Sequence, residues 1–140
     1  MPTEMVVTAV HQGGMRMVAG TGDYQVATDY PLKPGEECSG LRPLEVLLCS
    51  LAACSGSAVA LLLERMHQPL GGLEVNVRAT RADEHPTVLT HIALEFVVRG
   101  DGVEPGAVER ALKQAEDLCP VWAMVKPGTD ITSSFLLAGA

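Results

Sequence analysis

Four cysteines offer the widest range of chemistry in this sequence: Cys38, Cys49, Cys54 and Cys119. A cysteine can ligate a metal, close a disulfide or attack as a thiolate, and spacing helps to separate these roles. No C-x-x-C pair occurs, and His11, His67, His85 and His91 are scattered without ligand spacing. No metal centre is expected. The opening residues, MPTEMVVTAVHQ, lack the basic segment and apolar run of a secretory signal, so the expected location is the cytoplasm. Thiols are kept reduced there, and cysteines serve more often as free, metal-bound or catalytic groups than as structural disulfides.

Two of the four lie in one segment, RPLEVLLCSLAACSGSAVALLLER, from Arg42 to Arg65. It carries no charge between Glu45 and Glu64. The uncharged run just reaches the roughly 18 residues that suggest a membrane span. Ser50, Ser55, Gly56, Ser57 and both cysteines dilute it, however, and charges bracket it closely. A helix that is apolar all round is otherwise a buried one. Pro43 suits the first helical position, and Glu45 suits the positive N-terminal end. From Pro43 to Met66 such a helix would run about 36 Å, at roughly 1.5 Å per residue. That is long for a domain of this size, so a second subunit is expected to cover part of it.

The small residues Ala52, Ala53, Ser55, Gly56 and Ser57 allow another backbone to approach, and they leave room beside Cys54 for a small molecule. A cysteine in a buried helix is ordinarily a small hydrophobe, whereas reactivity needs an electropositive, partly exposed setting. On these residues alone both readings of Cys54 stay open. Cys49 sits about 140° from Cys54 around the helix and is expected in the core. Cys38 lies in the loop YPLKPGEECSG and is expected at the surface.

The elements that must position these residues can be read from pattern. The chain has 140 residues, of which 47% are apolar, enough for a single domain over 1–140 with one core. Its formal net charge of −7 argues against nucleic acid or an anionic membrane surface as partner. Three short runs, Met5 to Val10, Met15 to Ala19 and Tyr24 to Thr28, alternate in polarity between QGG and GTGD turns. Beyond the apolar helix, Leu73, Val75, Val77 and Ala79 share one face of a strand, and Ile92, Leu94, Phe96 and Val98 share one face of the next. Val108, Ala111, Leu112, Ala115 and Leu118 follow helical spacing. Pro120 should end that helix or start a short turn, and DITSSFLL supplies a last strand. The order β-β-β-α-β-β-α-β predicts an α+β domain.

The segment P-L-E-V-L-L-C-S-L-A-A-C in a long helix, followed much later by a helix ending L-C-P-V, resembles the OsmC/Ohr family. These are the osmotically inducible protein C and organic hydroperoxide resistance proteins. The likeness extends over nearly the whole chain, including the strand order, and points to the family's less characterised branch. It implies antiparallel sheets wrapped around a long central helix in an intertwined homodimer, with two active sites near the subunit interface. It further implies a cysteine-based peroxidase for organic hydroperoxides, with no metal or organic cofactor, regenerated by an external thiol reductant. By position, Cys54 matches the peroxidatic cysteine and Cys119 the resolving one.

Family peroxidases also set an arginine and a glutamate beside the reactive cysteine. Arg16, in GGMR, lies in the hairpin region where the family's arginine lies, and Arg42 flanks the helix start. Glu45 is the nearest match to the glutamate. In the family that residue follows proline directly, as Asn-Pro-Glu, whereas Leu44 intervenes here. Nine residues at about 100° each put Glu45 roughly opposite Cys54, where it could serve as a helix-end carboxylate. The expected function is a thiol-dependent hydroperoxide reductase. The alternatives are a binding protein that holds a small apolar or electrophilic ligand at the dimer interface without turnover, and a structural dimer with inert thiols.

Overall fold

The structure is a computed structural model, and it describes residues 3–139. The chain forms two compact units, Met1–Leu47 and Leu48–Ala140.

In the first unit, β1 (Thr8–His11), β2 (Met17–Gly20) and β3 (Gln25–Thr28) form an antiparallel meander. The strands begin later than their apolar patterns do. Thr8 pairs with Gly20, the last residue of β2, so the preceding Met5, Val6 and Val7 have no ladder to join and stand exposed. Gly13 and Gly14 take φ values of 98° and 56° in the first turn, a left-handed backbone that glycine adopts without strain.

The loop after β3 is tied back by Asp29. One carboxylate oxygen accepts from both the backbone N–H and the hydroxyl of Ser39, each at 2.9 Å, while the other accepts from the N–H of Tyr30 at 2.8 Å. Arg16 completes the knot. Its Nη1 donates to the Ser39 carbonyl at 2.7 Å and to the Ser39 hydroxyl at 2.8 Å. The backbone and hydroxyl hydrogen bonds from Ser39 hold the Asp29 carboxyl below the usual carboxylate range, and the N–H of Tyr30 and the charge of Arg16 add to the effect. Cys38, beside this knot, is exposed as expected and donates to the Gly40 carbonyl at 3.2 Å. A Cβ on Gly40 would fall 2.6 Å from the Ala27 carbonyl oxygen, so only glycine lets the loop return this close.

The long helix α1 (Pro43–Arg65) starts in the first unit and continues in the second. Its first turn is capped by Glu45, whose Oε1 accepts from the Arg42 N–H at 2.8 Å. This is the carboxylate half of a capping box, with Pro43 at the first helical position.

In the second unit, α1 is followed by β4 (Gly72–Arg81), β5 (Leu89–Arg99), α2 (Pro105–Leu118), α3 (Pro120–Val125) and β6 (Asp130–Ala138). The sheet order is β4-β5-β6. β4 and β5 form an antiparallel hairpin, but β6 pairs with β5 in parallel, with Phe96 opposite Phe135. The expectation of purely antiparallel sheets is corrected here: α2 and α3 form a crossover, which brings the chain back to run alongside β5. Ile92, Leu94, Phe96 and Val98 line the buried face of β5, and Val108, Ala111 and Ala115 of α2 are equally buried. Leu51, Val59 and Leu63 of α1 complete the core.

Among the described residues α1 is long and apolar enough to cross a membrane by length and composition, with a mean hydropathy of 2.3 over its most apolar stretch. Only 33% of that stretch is buried. Cys49, expected in the core, is exposed, as is Leu61, because α1 buries one stripe rather than its whole circumference.

Two expected outcomes follow from the first unit. The folded-state pKa of Asp29 is depressed, so its stabilising contribution is present above the unfolded carboxylate range near pH 4 and is lost as pH falls through the folded value. Asp29→Asn should therefore lower Tm near neutral pH and cease to differ from the parent in strong acid. A pH-independent difference in thermal melts would refute the assignment. Glu45→Ala should cost about 1 kcal/mol in denaturant unfolding, while Glu45→Gln, which can still accept from the Arg42 N–H, should cost little.

Candidate active site

Cys119 owes its position to the proline that follows it. Proline disfavours a helical backbone in the preceding residue, and Cys119 is extended at φ −79° and ψ 110°. It thus ends α2, donating its N–H to the Ala115 carbonyl at 2.8 Å. It also begins α3, where its Sγ accepts from the Trp122 N–H at 3.4 Å. With backbone and sulfur both engaged, the side chain is fixed at the corner. Cys119 and Trp122 are each only 1% exposed.

Cys54, on α1, meets this buried thiol and is itself half-buried. The two side chains share a hydrogen bond. Burial pushes the Cys119 thiol pKa up, and the hydrogen bond to Cys54 raises it further. The backbone N–H groups of Trp122 and Val121 oppose both effects without overcoming them. Burial and the hydrogen bond thus favour the protonated form of Cys119, whose S–H can donate toward the Cys54 sulfur.

Of the residues expected to wall the site, Leu51, Val59, Leu62 and Trp122 are buried in this unit and Val121 is half-buried, and the backbones of Val121 and Trp122 are the ones that meet Cys119. Ser55, next to Cys54, is fully buried, but its hydroxyl donates to the Leu51 carbonyl at 2.7 Å within the helix, so it takes no part in the pair. The small residues of α1 allow the expected close approach of another element, but the room they leave is not beside Cys54. Ala52, Ala53, Gly56, Ser57 and Ala60 line an open groove against Leu73 and Val75 of β4, and Cys49 rather than Cys54 borders it. A Cβ on Gly56 would lie 3.1 Å from the Val75 side chain, so the glycine serves the close packing of α1 against β4.

Of the four residues singled out from the sequence, the structure brings Cys54 and Cys119 together. Arg16 and Glu45 belong to the first unit, where Arg16 is engaged with Ser39 and Glu45 caps α1. Sequence reasoning missed Ser39, which holds Arg16, and Asp29, which holds Ser39, across separations that no local pattern reveals. It also missed the Trp122 N–H on Cys119, which the Cys-Pro step could have signalled. Among the described residues, no group of three or more His, Cys, Asp or Glu stands ready to hold a metal ion.

The OsmC-like protein family matches residues 35–134. Protein YhfA of Escherichia coli K12 is 33% identical over 99 residues, which are 70% of this chain and 74% of that protein. The crystal structure of a hypothetical protein from Aquifex aeolicus VF5 is 28% identical and superposes with a TM-score of 0.85, covering 100% of this chain and 99% of that one. The fold is also that of an organic hydroperoxide resistance protein OsmC from Legionella pneumophila, at a TM-score of 0.72 and 16% identity over 95% of this chain and 96% of that one. With a family match across both units and a relative aligned over most of its length, this chain belongs to the OsmC-like protein family.

Proposed function

We propose that the protein is a cytoplasmic, cysteine-based peroxidase that reduces organic hydroperoxides, with Cys54 as the attacking thiol and Cys119 as the resolving one. The observation that carries this reading is the contact between a half-buried Cys54 and a buried Cys119 that keeps its proton. The Cys54 thiolate attacks the distal peroxide oxygen, the O–O bond breaks, and the alkoxide leaves and is protonated to an alcohol. Cys54 becomes a sulfenic acid. The Cys119 sulfur then bonds to the Cys54 sulfur, and water leaves with the sulfenic oxygen and the thiol proton. An external thiol supplies the two electrons that reopen the disulfide. An apolar approach to Cys54 would favour an alkyl hydroperoxide over hydrogen peroxide, because an alkyl group gains from apolar walls. The naming of the Legionella pneumophila protein for organic hydroperoxide resistance points the same way.

A second reading is a ligand-binding protein of the same fold that does not turn over. The engagement of Arg16 with Ser39 and of Glu45 with the start of α1 favours it, since both charged groups already have partners. The two readings part on Cys54→Ser. In a peroxidase this change should abolish alkyl hydroperoxide consumption. Cys119→Ser should leave a single oxidation of Cys54 and then overoxidation, with no disulfide in the mass spectrum. Unchanged consumption by Cys54→Ser would end the peroxidase reading.

We also propose a homodimer as the working form. Leu47 and Leu61 are 38% and 45% exposed on a helix whose most apolar stretch is mostly unburied in the single chain. Covering them gains roughly 25 cal/mol per Å² of apolar surface removed from water. Sedimentation at low micromolar concentration should show a dimer, and a stable folded monomer would refute it.

A further inference from the structure

We propose that the Cys54–Cys119 disulfide opens from one side only: the reductant's thiolate attacks the Cys54 sulfur, and Cys119 departs. This polarity rests on the preceding reading that the two thiols are oxidised as a pair. A thiolate must reach one sulfur of a disulfide directly, so access is a leading control on which sulfur is attacked. Cys119 is 1% exposed, held by the end of α2 and the start of α3, with Ala115 fully buried and Trp122 at 1% on either side of it in sequence. A reductant could reach its sulfur only by opening that corner. Cys54 is half-buried and is therefore the more exposed residue of the two.

The corner also sets what becomes of Cys119 as it leaves. As the sulfur–sulfur bond breaks, Cys119 takes the bonding pair as a thiolate. The Trp122 N–H, 3.4 Å from Sγ in the reduced protein, is in place to stabilise that charge. Burial then drives the thiolate to take up a proton from solvent. A second reductant thiolate attacks the reductant's own sulfur in the mixed disulfide with Cys54. The Cys54 thiolate is released and the reductant leaves as its disulfide, a two-electron balance. A raised leaving-group pKa slows departure, but the closed approach to Cys119 removes the competing route.

The test uses the full chain carrying Cys38→Ser and Cys49→Ser, both exposed positions. Diamide closes the disulfide without any peroxide. A limiting amount of 2-mercaptoethanol is added, the reaction is stopped with acid, free thiols are capped with N-ethylmaleimide, and peptides are mapped by mass spectrometry. The expected result is mercaptoethanol on Cys54 and maleimide on Cys119, exceeding the reverse pattern by about tenfold or more. Equal labelling, or mercaptoethanol mainly on Cys119, would overturn the proposal. So would failure of diamide to close the pair. A pair that closes and opens with the expected polarity, in a protein that consumes no hydroperoxide, would support the polarity and end the peroxidase reading instead.

Discussion

Cys119 is held dry at a corner between two helices, and the chemistry of the site depends on that placement. Pro120 stops α2 from continuing and sets the extended backbone of Cys119. The corner turns the sulfur inward, among residues that exclude water. Burial makes a charge there costly, so the thiol keeps its proton and can offer it to Cys54. Without the proline, α2 and α3 could run on as one helix, and Cys119 would lose both the enclosure and the Trp122 N–H. Two chemically identical side chains thus acquire different environments, one half-buried and one enclosed.

Much of this was legible in the sequence. The Leu-Cys-Pro-Val segment announced a helix end with a thiol in it, and the alternation of Ile92, Leu94, Phe96 and Val98 announced the buried face of β5. Glu45, three residues after Arg42, was readable as a helix-end carboxylate because capping depends only on local spacing. The parallel pairing of β6 was not readable. A strand's own pattern records which face is buried and not which way its neighbour runs. The exposure of Cys49 was also hidden, because a helix apolar on every side gives no hint of which stripe finds a partner. Arg16 was located, but Ser39 and Asp29 meet it through loop geometry that composition does not encode.

The apolar surface left on α1 is a constraint of the same kind. In the single chain one stripe of α1 is buried, with β4 beside it at Val75, and 140 residues leave little else to cover the rest. Residues such as Leu61 and Ala53 would be poor choices for permanent contact with water, and the charges that would make the helix amphipathic are absent from Val46 to Leu63. Length and composition would equally suit a membrane. The buried stripe of Leu51, Val59 and Leu63 argues for protein as the cover, since those residues already pack in a folded core beside a sheet.

The charged groups bear on a different point. A thiolate at neutral pH is commonly favoured by a nearby cation, and this chain carries a net −7. Arg16 was the expected cation, but its guanidinium is bonded to Ser39 and shares that residue with the Asp29 carboxylate. A cation so engaged projects less field than a free one, because the adjacent anion offsets it. The S–H of Cys119 has no such competitor. It is a neutral donor fixed against the Cys54 sulfur in a protected place, and a neutral donor adds no further charge to be desolvated. The same corner that buries Cys119 thus also brings its S–H to the Cys54 sulfur, so one side chain is both enclosed and a donor to its neighbour.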